Sequence, residues 1–149
     1  MKINELFMGG GETSVITEAY RALRTNILHS KIDREVKSIL FTSAIAGEGK
    51  SVTAANTAVA LAQAGKKVII LDCDLRKPVQ YKIFRKENIG LTNYIYENRS
   101  ITDIVQDTGF PNLLLVASGP TPSNNPAELL DSHKLPGVIS WLQSRADYV

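Results

Sequence analysis

Ser43-Ala44-Ile45-Ala46-Gly47-Glu48-Gly49-Lys50-Ser51 is the stretch whose surroundings decide the fold. Before it, residues 38–42 (Ser-Ile-Leu-Phe-Thr) read as a short buried strand, and after it residues 51–64 carry the Ala, Val and Leu of a helix that ends at Gly65. A glycine-rich loop that leaves a strand and opens a helix builds a cradle for phosphate. The first N–H groups of a helix lack intrahelical partners and sit at the positive end of its dipole, so they can wrap phosphate oxygens where Gly47 and Gly49 remove side-chain obstruction. Ala46, Gly47, Glu48, Gly49, Lys50, Ser51 and Val52 are the candidate nucleotide-binding residues. Lys50 brings a mobile charge to the β- and γ-phosphates, and Ser51 a hydroxyl for Mg²⁺.

The spacing is that of a P-loop with one departure, Ala44 in the place of the first glycine. A dinucleotide fingerprint starting at Gly47 fails, because it needs Gly or Ala where Val52 stands. A second constellation follows the apolar run at residues 67–71, where Asp72-Cys73-Asp74-Leu75-Arg76-Lys77-Pro78 leaves a predicted strand. Ligands of open parallel sheets bind at the carboxyl ends of the strands, so a strand beside the P-loop strand brings Asp72 and Asp74 towards the terminal phosphate. Two residues apart in extended chain, they point to one site. One carboxylate can hold Mg²⁺, directly or through water, while the other accepts the proton of an attacking hydroxyl. The plain alternative is a pair of turn and cap residues ahead of Pro78. Cys73, the single cysteine, has no internal disulfide partner, and alternation points it into the core as a structural residue.

Residues 14–29 have the spacing of an amphipathic helix with Ile16, Ala19, Tyr20, Leu23 and Ile27 on one side. Glu18, Arg21 and Arg24 recur every three residues and form an inclined stripe. That stripe can pair with its copy on a neighbouring subunit or form an intrahelical, solvated face, and spacing alone favours the second. Further on, residues 91–97 and 101–107 read as short helices and 113–117 as a third buried strand. The turn-rich loop 118–125 then falls on the ligand side of the sheet, where it is expected to line the nucleotide site, and Asn125-Pro126-Ala127-Glu128 is a strong helix start. Residues 135–146 read as a helix and 147–149 as the beginning of a strand. His29 and His133 lack metal-ligand spacing and read as surface or cap residues, while Tyr20, Tyr81, Tyr94 and Tyr96 read as packing residues.

Composition describes a small globular domain: 44% hydrophobic residues can form a core and 21% charged residues a soluble surface. One domain spans residues 1–149, with 1–13 expected to be flexible. No run reaches the roughly 18 to 20 apolar residues of a membrane span, residues 1–11 lack a signal-peptide core, and a lone cysteine suits a reducing compartment, which together predict a cytoplasmic protein. The net charge of +2 is uneven, with seven Lys or Arg against two Asp between Lys66 and Lys86, a field that attracts ATP or an acidic, tyrosine-rich tail. Few aromatic residues and no recognised motif argue against a nucleic-acid partner.

Taken together, SAIAGEGKS, ILDCDLRKP, EAYRALRTNI and GPTPSNNPAELL resemble the bacterial tyrosine kinases of capsular and extracellular polysaccharide synthesis, over residues 17–149. The resemblance implies an α/β, P-loop NTPase-like fold with a mainly parallel sheet flanked by helices, and an autophosphorylating tyrosine kinase that uses ATP and Mg²⁺ to regulate polysaccharide synthesis and export. It makes Lys50 and Ser51 nucleotide ligands, Asp72 the catalytic base beside Lys50, and Asp74 a metal-shell residue with Ser51 and Asp72. It also reverses the reading of Glu18, Arg21 and Arg24, which look like the family's subunit-contact motif and imply a ring oligomer assembled through residues 14–30. The implied partners are further copies of the chain, a membrane activator protein that recruits it to the inner face of the cell membrane, and tyrosine-bearing protein substrates. Related partition and septum-site ATPases carry an extra lysine early in the loop, where this chain has Ala44, Ile45 and Ala46. The family's later Walker B acid and its C-terminal tyrosine cluster do not occur within residues 1–149, so the expectation is a truncated domain lacking its C-terminal strands. Two other readings stay open: a non-catalytic, nucleotide-binding interaction module and a partition-type P-loop ATPase.

Overall fold

A computed structural model of the chain describes residues 6, 14–30, 35–121 and 126–149. Helix α1 (Val15–His29) is capped by Ser14, whose Oγ accepts the Thr17 N–H at 3.2 Å. Tyr20, Ile27 and Leu28 pack against the first core cluster, whereas Val15 and Ile16 are 88% and 44% exposed and Ala19 also faces solvent. The buried stripe thus lies further along the helix than the spacing predicts, and Thr17 is the buried residue of its first turn.

Helix α2 (Lys50–Gln63) is enclosed by α1 on one side and the sheet on the other, with Ala55 to Ala62 all buried. Its alanines suit that place, since small side chains let three elements approach one helix. Strand β1 (Val68–Leu71) pairs in parallel with β3 (Leu113–Val116), Val68 opposite Leu113, and β2 (Gln106–Asp107) adds antiparallel to the other edge of β3. The order is β1-β3-β2. Side-chain alternation divides the core: Val68, Leu113 and Leu115 meet α2, while Ile69 and Val116 meet Leu91, Ile104, Val138 and Leu142 on the opposite face. That second layer comes from α4 (Leu91–Glu97), a 3₁₀ turn (Ile101–Ile104), α5 (Pro126–Leu130) and α6 (Lys134–Gln143). Between β1 and α4, α3 (Gln80–Ile83) is a single turn. The result is an α/β sheet covered on both faces, in which parallel pairing dominates.

Three further expectations change. Residues 101–107 form no single helix, because the chain turns extended after Ile104 and Gln106–Asp107 pair with β3. Residues 38–42 form no regular strand, and Leu40 is 88% exposed. A strand is made by its partners, and here the pairing is narrow: the Val149 N–H donates to the Lys37 carbonyl at 2.8 Å, and the Ile39 N–H donates to the Val149 carbonyl at 2.9 Å. Tyr148 bridges in parallel to Val68 on the other side, as the start of a strand predicted at 147–149 should, so residues 38–42 are set one strand width away from β1 rather than beside it. Finally, the described part of the 118–125 loop does not line the cavity beside the P-loop. Asn88 holds it, donating from Nδ2 to the Gly119 carbonyl (2.9 Å) and accepting the Gly119 N–H at Oδ1 (3.1 Å); residues 122–125 lie outside the described chain. No helix among the described residues is long and apolar enough to cross a membrane.

Candidate nucleotide and phosphoryl-transfer site

The loop before α2 is shaped by two glycines in the left-handed region, Gly47 at φ +90° and Gly49 at φ +91°. Gly49 is the residue that caps α2, and its carbonyl accepts the Thr53 N–H at 2.8 Å. The N–H groups of Lys50, Ser51 and Val52 precede that first helical bond and are the ones the helix leaves for a ligand. Val52 offers only its backbone, because its side chain packs on the core. Ala46, Gly47 and Glu48 are exposed, and a carboxylate already occupies part of the loop: Glu48 Oε2 accepts the Ile45 N–H at 3.3 Å. A Cβ built at Gly47 or Gly49 meets nothing within 4 Å, so the loop leaves open space where a phosphate would enter.

Asp72 and Asp74 line the same cavity just beyond the end of β1. Asp72 is 6% exposed and its two oxygens accept the N–H groups of Asp74 (3.0 Å) and Gln80 (3.2 Å). Burial pushes its carboxyl above the ordinary value; those N–H groups oppose the shift and the charge of Asp74 adds to it. Asp74 behaves oppositely. Burial works against its charge, but the Lys50 ammonium, 2.6 Å from Oδ2, and the Lys77 N–H, 3.0 Å from Oδ1, outweigh burial and hold the carboxyl below the ordinary value. Neighbouring carboxylates pushed apart in this way suit different tasks, a poised base and a permanently charged ligand.

Lys50, Ser51, Asp72 and Asp74 line one cavity of about 610 Å³, which runs between residues 38–43 and β1 over the buried face of α2. Cys73 lines it too, half-buried rather than fully in the core, and burial pushes its thiol up to about 11. Gln80 is a site residue that the sequence reading passed over: buried at 4% exposure, it donates from Nε2 to the Ser51 carbonyl at 2.9 Å. The only signal was a polar residue opening a one-turn helix two positions after Pro78. Among the described residues no cluster of three or more His, Cys, Asp or Glu could cage a metal by itself. The donor set nevertheless fits Mg²⁺ arriving with a nucleotide, since that ion takes one or two protein oxygens and completes its shell with phosphate and water. On α1, Glu18 and Arg21 are paired within the helix and both remain about half exposed, with Arg24 half-buried one turn further on.

Comparison with known proteins bears on the fold and the family. The CobQ/CobB/MinD/ParA nucleotide binding domain matches residues 39–144, and the chain belongs to that family of P-loop proteins. Bacterial tyrosine kinases are among the proteins it matches. It is 49% identical to tyrosine-protein kinase YwqD of Bacillus subtilis over 80% of this chain and 50% of that protein. It is 38% identical to tyrosine-protein kinase CpsD of Streptococcus agalactiae over 89% of this chain and 57% of that one. The crystal structure of the chimerical protein CapA2B2 superimposes with a TM-score of 0.89 at 37% identity, covering 97% of this chain and 63% of that one. The chain thus spans between half and two thirds of the length of these relatives.

Proposed function

We propose that this chain carries the ATP·Mg²⁺ site of a protein tyrosine kinase that autophosphorylates and regulates polysaccharide synthesis and export. The observation that carries the proposal is the 2.6 Å contact between Lys50 of the P-loop and Asp74 of the acid loop, which joins the two halves of a phosphoryl-transfer site around one cavity. The N–H groups of Lys50, Ser51 and Val52 bind phosphate oxygens, and the Lys50 ammonium leaves Asp74 to neutralise the transferring group. The Ser51 hydroxyl and Asp74 hold the metal, whose chemistry when bound is to neutralise charge on the phosphates. Asp72 orients the tyrosine hydroxyl and takes its proton as the phenol oxygen bonds to the γ-phosphorus and the bond to ADP breaks. Its raised pKa brings it closer to the working pH than an ordinary aspartate.

Glu18, Arg21 and Arg24 form the contact stripe of a ring oligomer, in which the exposed Glu18–Arg21 pair opens to exchange partners with the next copy. The chain acts in the cytoplasm, recruited to the membrane by an activator protein, and phosphorylates tyrosine-bearing proteins. The test is incubation with ATP, Mg²⁺ and a tyrosine-rich acceptor, followed by mass spectrometry. Phosphotyrosine that disappears in Lys50→Met and Asp72→Asn is expected. Phosphate release without phosphotyrosine would instead identify a partition-type ATPase, and nucleotide binding without either product a non-catalytic interaction module.

A further inference from the structure

Gln80 has no role in the chemistry above, yet it is buried among the groups that perform it. Each of its polar atoms has a distinct situation. The backbone N–H donates to Asp72 Oδ2 at 3.2 Å, and Nε2 donates to the Ser51 carbonyl at 2.9 Å. Oε1 is buried and accepts from nothing among the described residues. The orientation of the amide is settled by Ser51, because a carbonyl can only accept and must face the NH₂ side. The unpartnered oxygen is therefore a property of the fold, and folded proteins seldom keep a buried acceptor without a donor.

The chemistry of the surroundings narrows what that donor is. The oxygens of Asp72 and Asp74 already accept from N–H and ammonium donors, and the phosphate oxygens of a nucleotide accept only. The Lys50 ammonium is directed at Asp74 and, with a nucleotide bound, at the transferring phosphate. No hydroxyl or N–H of the described residues reaches Oε1 either, so at the phosphate end of the site the donor left is water, and water bound to a divalent cation is a strongly polarised donor that the cation retains on binding. We propose that Gln80 is a positioning residue for the metal: Nε2 ties the acid loop to Ser51, and Oε1 accepts from a water in the hydration shell of the divalent cation that enters with the nucleotide. This rests on the nucleotide site proposed above. It adds a contact outside the metal's own ligands, of the kind that orients a bound ion without touching it.

The test measures the magnesium increment, the affinity of the whole chain for a fluorescent ADP with Mg²⁺ divided by that without it. Gln80→Met, which keeps the length but has neither donor nor good acceptor, should lose about tenfold of the wild-type increment. Gln80→Glu still presents an acceptor and should retain it. Thermal melting checks that each variant is folded. If Gln80→Met does not fold, Gln80→Asn, whose amide is drawn back by one methylene, carries the same expectation. A wild-type increment in folded Gln80→Met or Gln80→Asn overturns the proposal while leaving the nucleotide site intact. Equal loss in the Glu and Met variants also overturns it, since only the tie to Ser51 would then matter. A wild-type chain that binds no nucleotide removes the site and this inference with it.

Discussion

Asp74→Asn separates what Lys50 does at rest from what it does with a nucleotide. The ammonium lies 2.6 Å from Asp74 Oδ2, with the two side chains 33% and 24% exposed. Exposed pairs contribute up to about 1 kcal/mol, and breaking a buried pair costs about 3 to 5 kcal/mol, so a contact at this intermediate depth is worth about 1 to 2 kcal/mol. A phosphate that recruits Lys50 must first release it from Asp74 and forgoes that amount. Removing the carboxylate should therefore tighten binding of ADP without Mg²⁺ by about 5- to 30-fold, the equivalent of 1 to 2 kcal/mol. The same substitution should weaken the response to Mg²⁺, because it removes a carboxylate proposed to hold the metal. Fluorescence titration of a labelled ADP, with and without the ion, reads both effects.

The pH dependence follows from the direction of the shift. The Asp74 carboxyl is held below 3.8, so the pair's contribution is complete above the ordinary carboxylate range and is lost only as pH falls through the lower, folded value. The advantage of Asp74→Asn in metal-free binding should accordingly stay level from about pH 8 to 5. Metal-free affinity in a folded variant that equals or falls below the wild type would refute the competition.

Other consequences are open to direct measurement. A methyl at Gly90 would sit 1.6 Å from the Ala117 carbonyl oxygen, inside the parallel bridge that joins α4 to the end of β3, so Gly90→Ala should cost at least about 3 kcal/mol in chemical denaturation; an unchanged midpoint would contradict that close approach. Cys73, with its thiol pushed up to about 11, should resist alkylation by iodoacetamide at neutral pH and react only as pH approaches that value, whereas rapid modification at pH 7.5 would mean that the thiol is not buried as described. Arg21→Glu removes an exposed intrahelical pair worth less than about 1 kcal/mol and should leave the melting curve nearly unchanged. If the stripe joins subunits, the same variant should shift light-scattering mass towards the monomer; a mass distribution identical to wild type would dissociate the stripe from assembly.

What could be read in the chain depended on how local its cause is. The phosphate loop and α2 were legible because left-handed glycines, a helix start and a run of alanines act within a few residues. Asp72 and Asp74 were legible as a pair because they are close in sequence and joined by a local bond, Asp72 Oδ1 accepting the Asp74 N–H, although Cys73 between them lines the cavity as well. Residues 38–42 have an equally strand-like composition, but hydrogen bonds from another segment make a strand, and Val149 supplies only a one-residue contact. The two-residue β2 is shorter than any period that would announce it, and it exists because β3 has an edge to pair.

Gln80 shows the same limit within the site. Nothing adjacent in sequence distinguishes it from a surface glutamine; its burial arises because the chain after Pro78 folds back onto the start of α2, 29 positions earlier. The sequence motifs identify groups proposed to touch phosphate, whereas the contacts that set those groups relative to one another cross between segments. Asp72 belongs to both classes, because the oxygens that would serve a tyrosine hydroxyl already organise the loop through Asp74 and Gln80. Its basicity is therefore set by the backbone it holds as well as by its burial, and reshaping the 74–80 loop should alter phosphoryl transfer even where Asp72 itself is unchanged.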